Sequence, residues 1–236
     1  MRIAIVTGGS KGLGSALCTQ LSNQGFLVIE FSRSAPHAYS FHLDLAQPEA
    51  ARKSTQLSLQ SIDPKKCNEL LLINNAGTLT PIGPIWQKSP VDVVANLNTN
   101  FTAAILVISE VMRHFRDAPC RKLIVNVTSG AAIKGYAGWS LYCAAKAAME
   151  GFVRALAAEE QHQDQPFVCV SIDPGVIDTE MQALIRATSV ADFPDVERFT
   201  KRKQDGGLSS PESVAAAIIK LMALDLKAGG RYDAEA

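Results

Sequence analysis

The sequence predicts an α/β fold, a doubly wound parallel sheet of about seven strands with helices on both faces. Short apolar runs rich in β-branched residues alternate with longer segments of helical periodicity, a pattern typical of a parallel sheet. A glycine-rich turn follows the first of these runs. No linker rich in Pro, Gly or Ser divides the chain, so we expect residues 1–236 to form a single domain.

The predicted elements follow one another in strand–helix order. Strands are expected at residues 3–6, 26–31, 41–43, 70–73, 123–127, 167–172 and 230–233. Helices are expected at residues 13–24, 47–61, 91–115, 141–160 and 211–224, the first of them ended by Gly25. Residues 176–208 interrupt the alternation, because their apolar residues follow no clean period. Long irregular insertions often serve as lids, so this segment is predicted to be a substrate-binding flap.

Composition and charge exclude several classes of protein. Hydrophobic residues make up 47% of the chain and charged residues 19%, which excludes a disordered or fibrous chain. The 23 Lys and Arg residues balance 23 Asp and Glu residues, which argues against binding to nucleic acid or a membrane surface through positive charge. No apolar run is long enough for a signal peptide or a membrane span. The five cysteines and four histidines are dispersed, and we expect a cytoplasmic protein without a metal site.

The glycine-rich turn at residues 7–14 lies between the first strand and the first helix. Glycines let the backbone approach a pyrophosphate, and the helix N-terminus supplies free N–H groups. The spacing is G-x-x-x-G-x-G, and a flexible turn without a ligand is the alternative. Its position after a strand favours nucleotide binding. The candidate residues are Gly8, Ser10, Lys11, Gly12, Leu13 and Gly14.

The end of the second strand indicates which nucleotide binds. A carboxylate there would bind the ribose 2′-hydroxyl of NAD, whereas an arginine accommodates the 2′-phosphate of NADP. The sequence has Ser32, Arg33 and Ser34 at this point, and Glu30 is expected to face the interior. Arg33 and Lys11 would pair with the phosphate, which favours NADP(H). The alternative is that both are ordinary solvated cations.

Tyr142 and Lys146 stand four residues apart at the start of a predicted helix, so they share one of its faces. A neighbouring ammonium favours the phenolate and would lower the pKa of the tyrosine toward the range of proton transfer. Ser129 follows a predicted strand and could form a hydrogen bond with the phenol oxygen of Tyr142. Its alternative role is to cap a loop.

Together with Asp44, the run Asn74 to Gly77, Asn100 and Pro174-Gly175, these motifs resemble the short-chain dehydrogenase/reductase family in order and spacing. The resemblance covers essentially the whole chain and implies a Rossmann-like fold. Within the family, residues 129–139 and 174–186 are most similar to the bacterial benzil reductases and to sepiapterin reductase.

The resemblance implies a role for each matching residue. Tyr142 would protonate a carbonyl oxygen that Ser129 polarises. Lys146 would bind the nicotinamide ribose and lower the pKa of Tyr142, and Asn100 would support a water that links Lys146 to solvent. The implied cofactor contacts are Asp44 and Leu45 on adenine, Asn75, Ala76 and Gly77 beside adenosine and ribose, and Pro174, Gly175, Val176 and Thr179 near the carboxamide.

The substrate and the assembly are less determined by the sequence. The residues expected to line or cover a substrate are Tyr136, Trp139, Met181 and Ile185, with Trp86, Ile133, Phe193 and Phe199, although ordinary packing is an equal alternative for each. Few charges lie nearby, which favours an uncharged ketone or diketone, unless Arg186 reaches an anionic group. Surplus apolar positions on the helices at 91–115 and 141–160 predict a homo-oligomer, with a dimer favoured. The alternatives are a reductase for another metabolite class and a catalytically silent NADP sensor; the presence of both Tyr142 and Lys146 disfavours the sensor.

Overall fold

The computed structural model, which describes residues 1–234, confirms the predicted fold class. Seven strands form one parallel sheet in the order β3-β2-β1-β4-β5-β6-β7. They are β1 (Arg2–Thr7), β2 (Leu27–Ser32), β3 (Ser40–His42), β4 (Glu69–Asn74), β5 (Arg121–Val127), β6 (Phe167–Asp173) and β7 (Arg231–Asp233). The strand order reverses direction between β1 and β4, and parallel sheets of this kind bind ligands in the crevice at that point.

Helices cover both faces of the sheet. They are α1 (Gly12–Asn23), α2 (Pro48–Leu59), α3 (Pro90–Leu97), α4 (Ala103–Phe115), α5 (Ser140–Glu160), α6 (Glu180–Arg186), α7 (Val196–Gln204) and α8 (Pro211–Met222). Buried residues of α1 and α8 pack on one face, and those of α2, α4 and α5 pack on the other. The central strands therefore carry buried side chains on both faces, which explains their continuous apolar runs.

The predicted helix at residues 91–115 forms with one irregularity. Residues Asn98–Thr102 make a π-helical turn between α3 and α4. The continuous helix Pro90–Phe115 has 26 residues and a mean hydropathy of 1.5 over its most apolar window, so by length and composition it could cross a membrane. The sequence-based expectation that no segment reaches this length was therefore wrong. In the fold, Val107, Val111 and Phe115 of this helix are buried in the core under the sheet.

The segment predicted as irregular, residues 176–208, contains the two helices α6 and α7. Both are short, with seven and nine residues, so neither shows a repeated apolar period. Ile185 of α6, Val196 of α7 and Phe193 between the two helices instead pack with Trp139 in a small separate cluster. This cluster places the segment above the carboxyl ends of the strands.

Candidate active site

A cavity of about 1750 Å³ extends along the carboxyl ends of the central strands. It brings together nearly all the residues that the sequence analysis singled out. Its lining includes Gly8, Ser10, Lys11, Gly12, Leu13, Gly14, Arg33, Asp44, Leu45, Asn75, Ala76, Gly77, Ser129, Tyr136, Trp139, Tyr142, Lys146, Pro174, Gly175, Val176, Thr179, Met181 and Ile185. Asn100 does not line it, and of the residues expected to line or cover a substrate, Trp86, Ile133 and Phe193 do not either.

The glycine-rich turn is held against the end of β4. Gly8 has a φ of +69°, and a Cβ there would lie 2.9 Å from the Cα of Ala76, so the turn needs glycine at this position. The side-chain amide of Asn75 donates hydrogen bonds to the carbonyl oxygens of Thr7 and Gly8 at 3.0 and 3.1 Å. These contacts give the turn a fixed shape before any ligand is bound.

A buried carboxylate holds the turn from its other side. Glu30 is fully buried in β2, and its Oε1 accepts a hydrogen bond from the Gly9 N–H at 2.9 Å. Its Oε2 accepts another from the Ser32 hydroxyl at 3.1 Å. The sequence indicated that Glu30 faces inward but missed this role; the available signal was one acid within an apolar strand.

The two cations proposed for the 2′-phosphate occupy different surroundings. Arg33 lies directly beyond β2, where it lines the cavity and no acid stands at the strand terminus. Lys11 forms an ion pair with Glu180 at the start of α6, so its positive charge is partly offset by a carboxylate that also lines the cavity. Asp44, which is predicted to contact adenine, accepts a hydrogen bond from the N–H of Ala46 through Oδ1 at 3.0 Å.

Tyr142 and Lys146 lie one turn apart on α5, as their spacing predicts. Their side chains are buried, and the Lys146 ammonium lies 5.5 Å from the centre of the Tyr142 ring. Lys146 donates a hydrogen bond to the carbonyl oxygen of Val127 at 2.7 Å. Ser129 lies just beyond the end of β5, where its hydroxyl accepts the Ala131 N–H at 3.1 Å, so it does cap the following turn.

Burial controls the ionisation of both groups. It raises the pKa of Tyr142 to about 12, against a smaller lowering by a hydrogen bond with Ser129. Burial also lowers the pKa of Lys146 to about 8. The implied lowering of the Tyr142 pKa by Lys146 is therefore not seen in this structure: burial is the largest cause of the shift, and the only group that lowers this pKa among the described residues is Ser129. The phenol keeps its proton at neutral pH, which suits a proton donor.

Asn100 lies in the π-helical turn, behind the cavity wall. Its Oδ1 accepts the Thr78 N–H at 2.8 Å, and its Nδ2 donates to the Thr78 carbonyl oxygen at 2.9 Å. A Cβ on Gly77 would lie 3.2 Å from Asn100 Oδ1 and 3.8 Å from Lys146 Nζ. Asn100 therefore holds the loop that separates it from Lys146, and its support of a water stays a prediction.

An aromatic cluster forms the end of the cavity at which the sequence predicts the substrate. The Trp139 ring lies between Tyr136, Phe193 and Phe199, with ring centres 4.9, 4.4 and 5.5 Å away. Phe199 lines the cavity, whereas Phe193 is fully buried behind Trp139. Trp86 and Ile133 were also expected there, but they are 80% and 72% exposed and lie outside the lining.

The charged residues near this end differ from those expected. Arg186 does not line the cavity, and its guanidinium donates to Gln182 at 3.1 Å. Arg198 and Arg202 line it instead, and within residues 1–234 neither forms an ion pair. Their spacing of four residues on α7 was the missed signal, which is readable only once that helix is known.

Comparison with known proteins gives matches over nearly the full length. The profile of the family described as short chain dehydrogenase matches residues 2–189. Benzil reductase ((S)-benzoin forming) of Bacillus subtilis (strain 168) is 37% identical over 238 residues, which cover 99% of this chain and 98% of that protein. Sepiapterin reductase of Meriones unguiculatus is 32% identical over 254 residues, covering 98% and 94%. The crystal structure of the KRED1-Pglu enzyme superposes with a TM-score of 0.83 at 27% identity, covering 98% of this chain and all of that one. The likeness therefore includes every strand and helix around the cavity.

Proposed function

Because this chain belongs to the short-chain dehydrogenase/reductase family, we propose that it uses NADPH to reduce the carbonyl group of a ketone or diketone, with Tyr142 as the proton donor. The observation that carries the proposal is the buried, protonated phenol of Tyr142 beside Ser129 in a cavity that also contains the glycine-rich turn. An aromatic diketone such as benzil is the substrate we favour.

The residues along the cavity fit nicotinamide adenine dinucleotide phosphate. Gly8 approaches Ala76 so closely that no side chain fits between them, and only backbone lines the cavity at this point. Within the described chain, the N-cap residue of α1, Lys11, makes no side-chain hydrogen bond to the first turn of the helix. The N–H groups at the start of α1 can therefore bind phosphate. Arg33 beyond β2 supports recognition of the 2′-phosphate, and Asp44 supports recognition of adenine. When bound, NADPH supplies the hydride.

The chain's own residues supply orientation and a proton. The hydroxyls of Ser129 and Tyr142 both donate hydrogen bonds to the substrate carbonyl oxygen, which stabilises the negative charge that develops there. Tyr142 then transfers its proton to that oxygen. Lys146, with a pKa of about 8, is mostly an ammonium at neutral pH and would bind the hydroxyls of the nicotinamide ribose. Its bond to Val127 holds it there.

The lining of the cavity supports an aromatic substrate. Trp139, Tyr136 and Phe199 offer ring faces and edges on which an aromatic ketone would pack. Arg198 and Arg202 favour a second candidate, a carbonyl compound that also carries an acidic group. A substrate panel that pairs benzil with an aromatic α-keto acid would separate the two.

The test is oxidation of NADPH in the presence of benzil. Tyr142→Phe should abolish turnover while NADPH binding, followed by its fluorescence, is kept. Tyr39→Phe is the matched control, because Tyr39 stacks on His37 away from the cavity, and it should keep full activity. Tight NADPH binding without turnover on any carbonyl compound would instead favour the silent sensor.

We also propose that the protein is a homodimer. Support comes from apolar side chains of the long helices that remain only partly buried in one chain: Phe101, Ile105, Met112 and Phe152. Such side chains on neighbouring helices are suited to helix–helix association between two copies. Size-exclusion chromatography with light-scattering detection would measure the mass of a monomer if the proposal is wrong.

A further inference from the structure

A group of charged side chains lies behind Tyr142 and Lys146. Arg231, the first residue of β7, pairs through Nη2 with Asp173 Oδ2 at 2.7 Å and through Nε with Glu150 Oε1 at 3.1 Å. The Glu150 and Asp173 side chains are 9% and 15% exposed, so water screens them poorly. One guanidinium is therefore paired with two largely buried carboxylates, and its single positive charge offsets one of their two negative charges.

Both carboxylates act on the candidate active site. Asp173 lines the cavity, and its charge raises the pKa of Tyr142 and of Lys146. Glu150, one helical turn beyond Lys146, also raises the Lys146 pKa. In addition, Asp173 Oδ1 accepts the N–H of Gly175 in the cavity wall at 3.0 Å.

Other groups around this network are weaker or more exposed. The Cys143 thiol also raises the pKa of Tyr142. Asp233 pairs with Arg231 at 2.9 Å, but its side chain is 69% exposed. Arg154 lies 3.8 Å from Glu150 with 62% of its side chain exposed. Among the described residues, Arg231 is therefore the poorly solvated cation that forms ion pairs with both carboxylates.

We propose that Arg231 is a positioning residue that sets the pH range of the reaction, because its guanidinium pairs with Asp173 and Glu150 and weakens the negative charge that both exert on Tyr142 and Lys146. The inference rests on the proposed carbonyl reduction, in which Tyr142 donates the proton. If Arg231 is lost, two unneutralised carboxylates stabilise the Lys146 ammonium and oppose ionisation of the phenol. If Asp173 is neutralised, the remaining Arg231 charge has the opposite effect on both groups.

The test breaks the same ion pair from either side. Arg231→Met and Asp173→Asn both remove the 2.7 Å contact, but they remove charges of opposite sign. The Lys146 side chain is titrated by NMR in protein labelled with carbon-13 lysine, without cofactor, and Lys146→Arg assigns its signal. We expect the midpoint to rise by about 0.5 pH unit or more in Arg231→Met and to fall by a similar amount in Asp173→Asn. A purely structural role would move both variants in one direction.

Control variants separate charge from folding. Arg154→Met removes an exposed cation from the same carboxylate and should leave the midpoint unchanged, and Arg231→Lys should stay near the wild type. If Arg231→Met does not fold, as judged by circular dichroism, a lowered midpoint in Asp173→Asn beside an unchanged midpoint in Arg231→Lys still tests the proposal. Equal midpoints in wild type and Asp173→Asn, or shifts of one sign in both charge variants, would overturn the inference.

The failure of this inference can be told apart from failure of the proposed function. The pH dependence of NADPH oxidation with benzil is measured on the same variants, and its alkaline limb should move to higher pH in Arg231→Met. Wild-type protein that reduces no carbonyl compound while the lysine midpoints shift as expected would refute the proposed reduction and leave the electrostatic arrangement standing. Active wild type with unmoved midpoints would do the reverse.

Discussion

A methyl group added at Gly9 tests the contact between the glycine-rich turn and β2. A Cβ at this position would lie 2.4 Å from Glu30 Cγ and 2.7 Å from Cys18 Sγ, both far inside van der Waals contact. Glu30 cannot retreat easily, because it is fully buried and its carboxylate is held by Gly9 itself and by Ser32. Gly9→Ala therefore has to displace the turn or the strand.

The expected cost follows from this overlap. Overpacking of a tight interior site costs about 1–3 kcal/mol of unfolding free energy. For a chain of this size that lowers Tm by roughly 3–9 °C. Because the displaced turn is the predicted phosphate site, the KM for NADPH should rise more than kcat falls.

The assay compares two glycine variants in parallel. Thermal unfolding and NADPH kinetics are measured for Gly9→Ala and for Gly135→Ala, since a Cβ on Gly135 would meet no atom within 4 Å. Only the first variant should lose stability and cofactor affinity. A Gly9→Ala protein with the Tm and NADPH affinity of the wild type would refute the packing that we describe between Glu30 and the turn.

Three further predictions concern charge. Arg33→Ala should raise the KM for NADPH about tenfold or more, because a charge-assisted contact to the 2′-phosphate is lost, and should leave the KM for NADH unchanged. Equal changes in the KM values for NADPH and NADH would exclude this role of Arg33. As pH rises through about 8, Lys146 loses its charge, so kcat/KM for NADPH should fall over that range; a flat profile to pH 9 would contradict the assignment of Lys146 to the ribose. Burial alone would raise the pKa of Glu160, but hydrogen bonds from Arg116 hold it below the ordinary value of 4.5, so this pair stabilises the fold above that pH and its contribution is lost as pH falls through the lowered pKa. Arg116→Met should therefore cost about 2 kcal/mol at pH 7 in urea unfolding and less in acid, whereas the exposed Arg113→Met should cost little.

The sequence predicted those parts of the fold that depend on local pattern. All seven strands lie within a few residues of the predicted positions, because central strands buried on both faces are apolar throughout. The glycine-rich turn and the spacing of Tyr142 and Lys146 are local as well, and the structure brings both to one cavity.

Features that depend on distant contacts were not predictable. Trp86 and Trp139 are the same residue type and both were expected to line or cover a substrate, yet one is exposed and the other is stacked on Phe193 of the 176–208 segment. Helix spacing placed Tyr142 beside Lys146 but could not show that burial would dominate its pKa. The burial of a single polar side chain such as Tyr142 depends on the assembled fold, so helix spacing does not predict it.

The π-helical turn at Asn98–Thr102 has a mechanical consequence. Asn100 meets both the N–H and the carbonyl of Thr78, as the peptide group of an adjacent strand would do. The backbone after β4 is in this way tethered to the long helix by two side-chain amides, because Asn96 also donates to the carbonyl oxygen of Thr80, at 2.7 Å. A shift of the long helix along its axis would therefore displace Thr78, which lines the cavity.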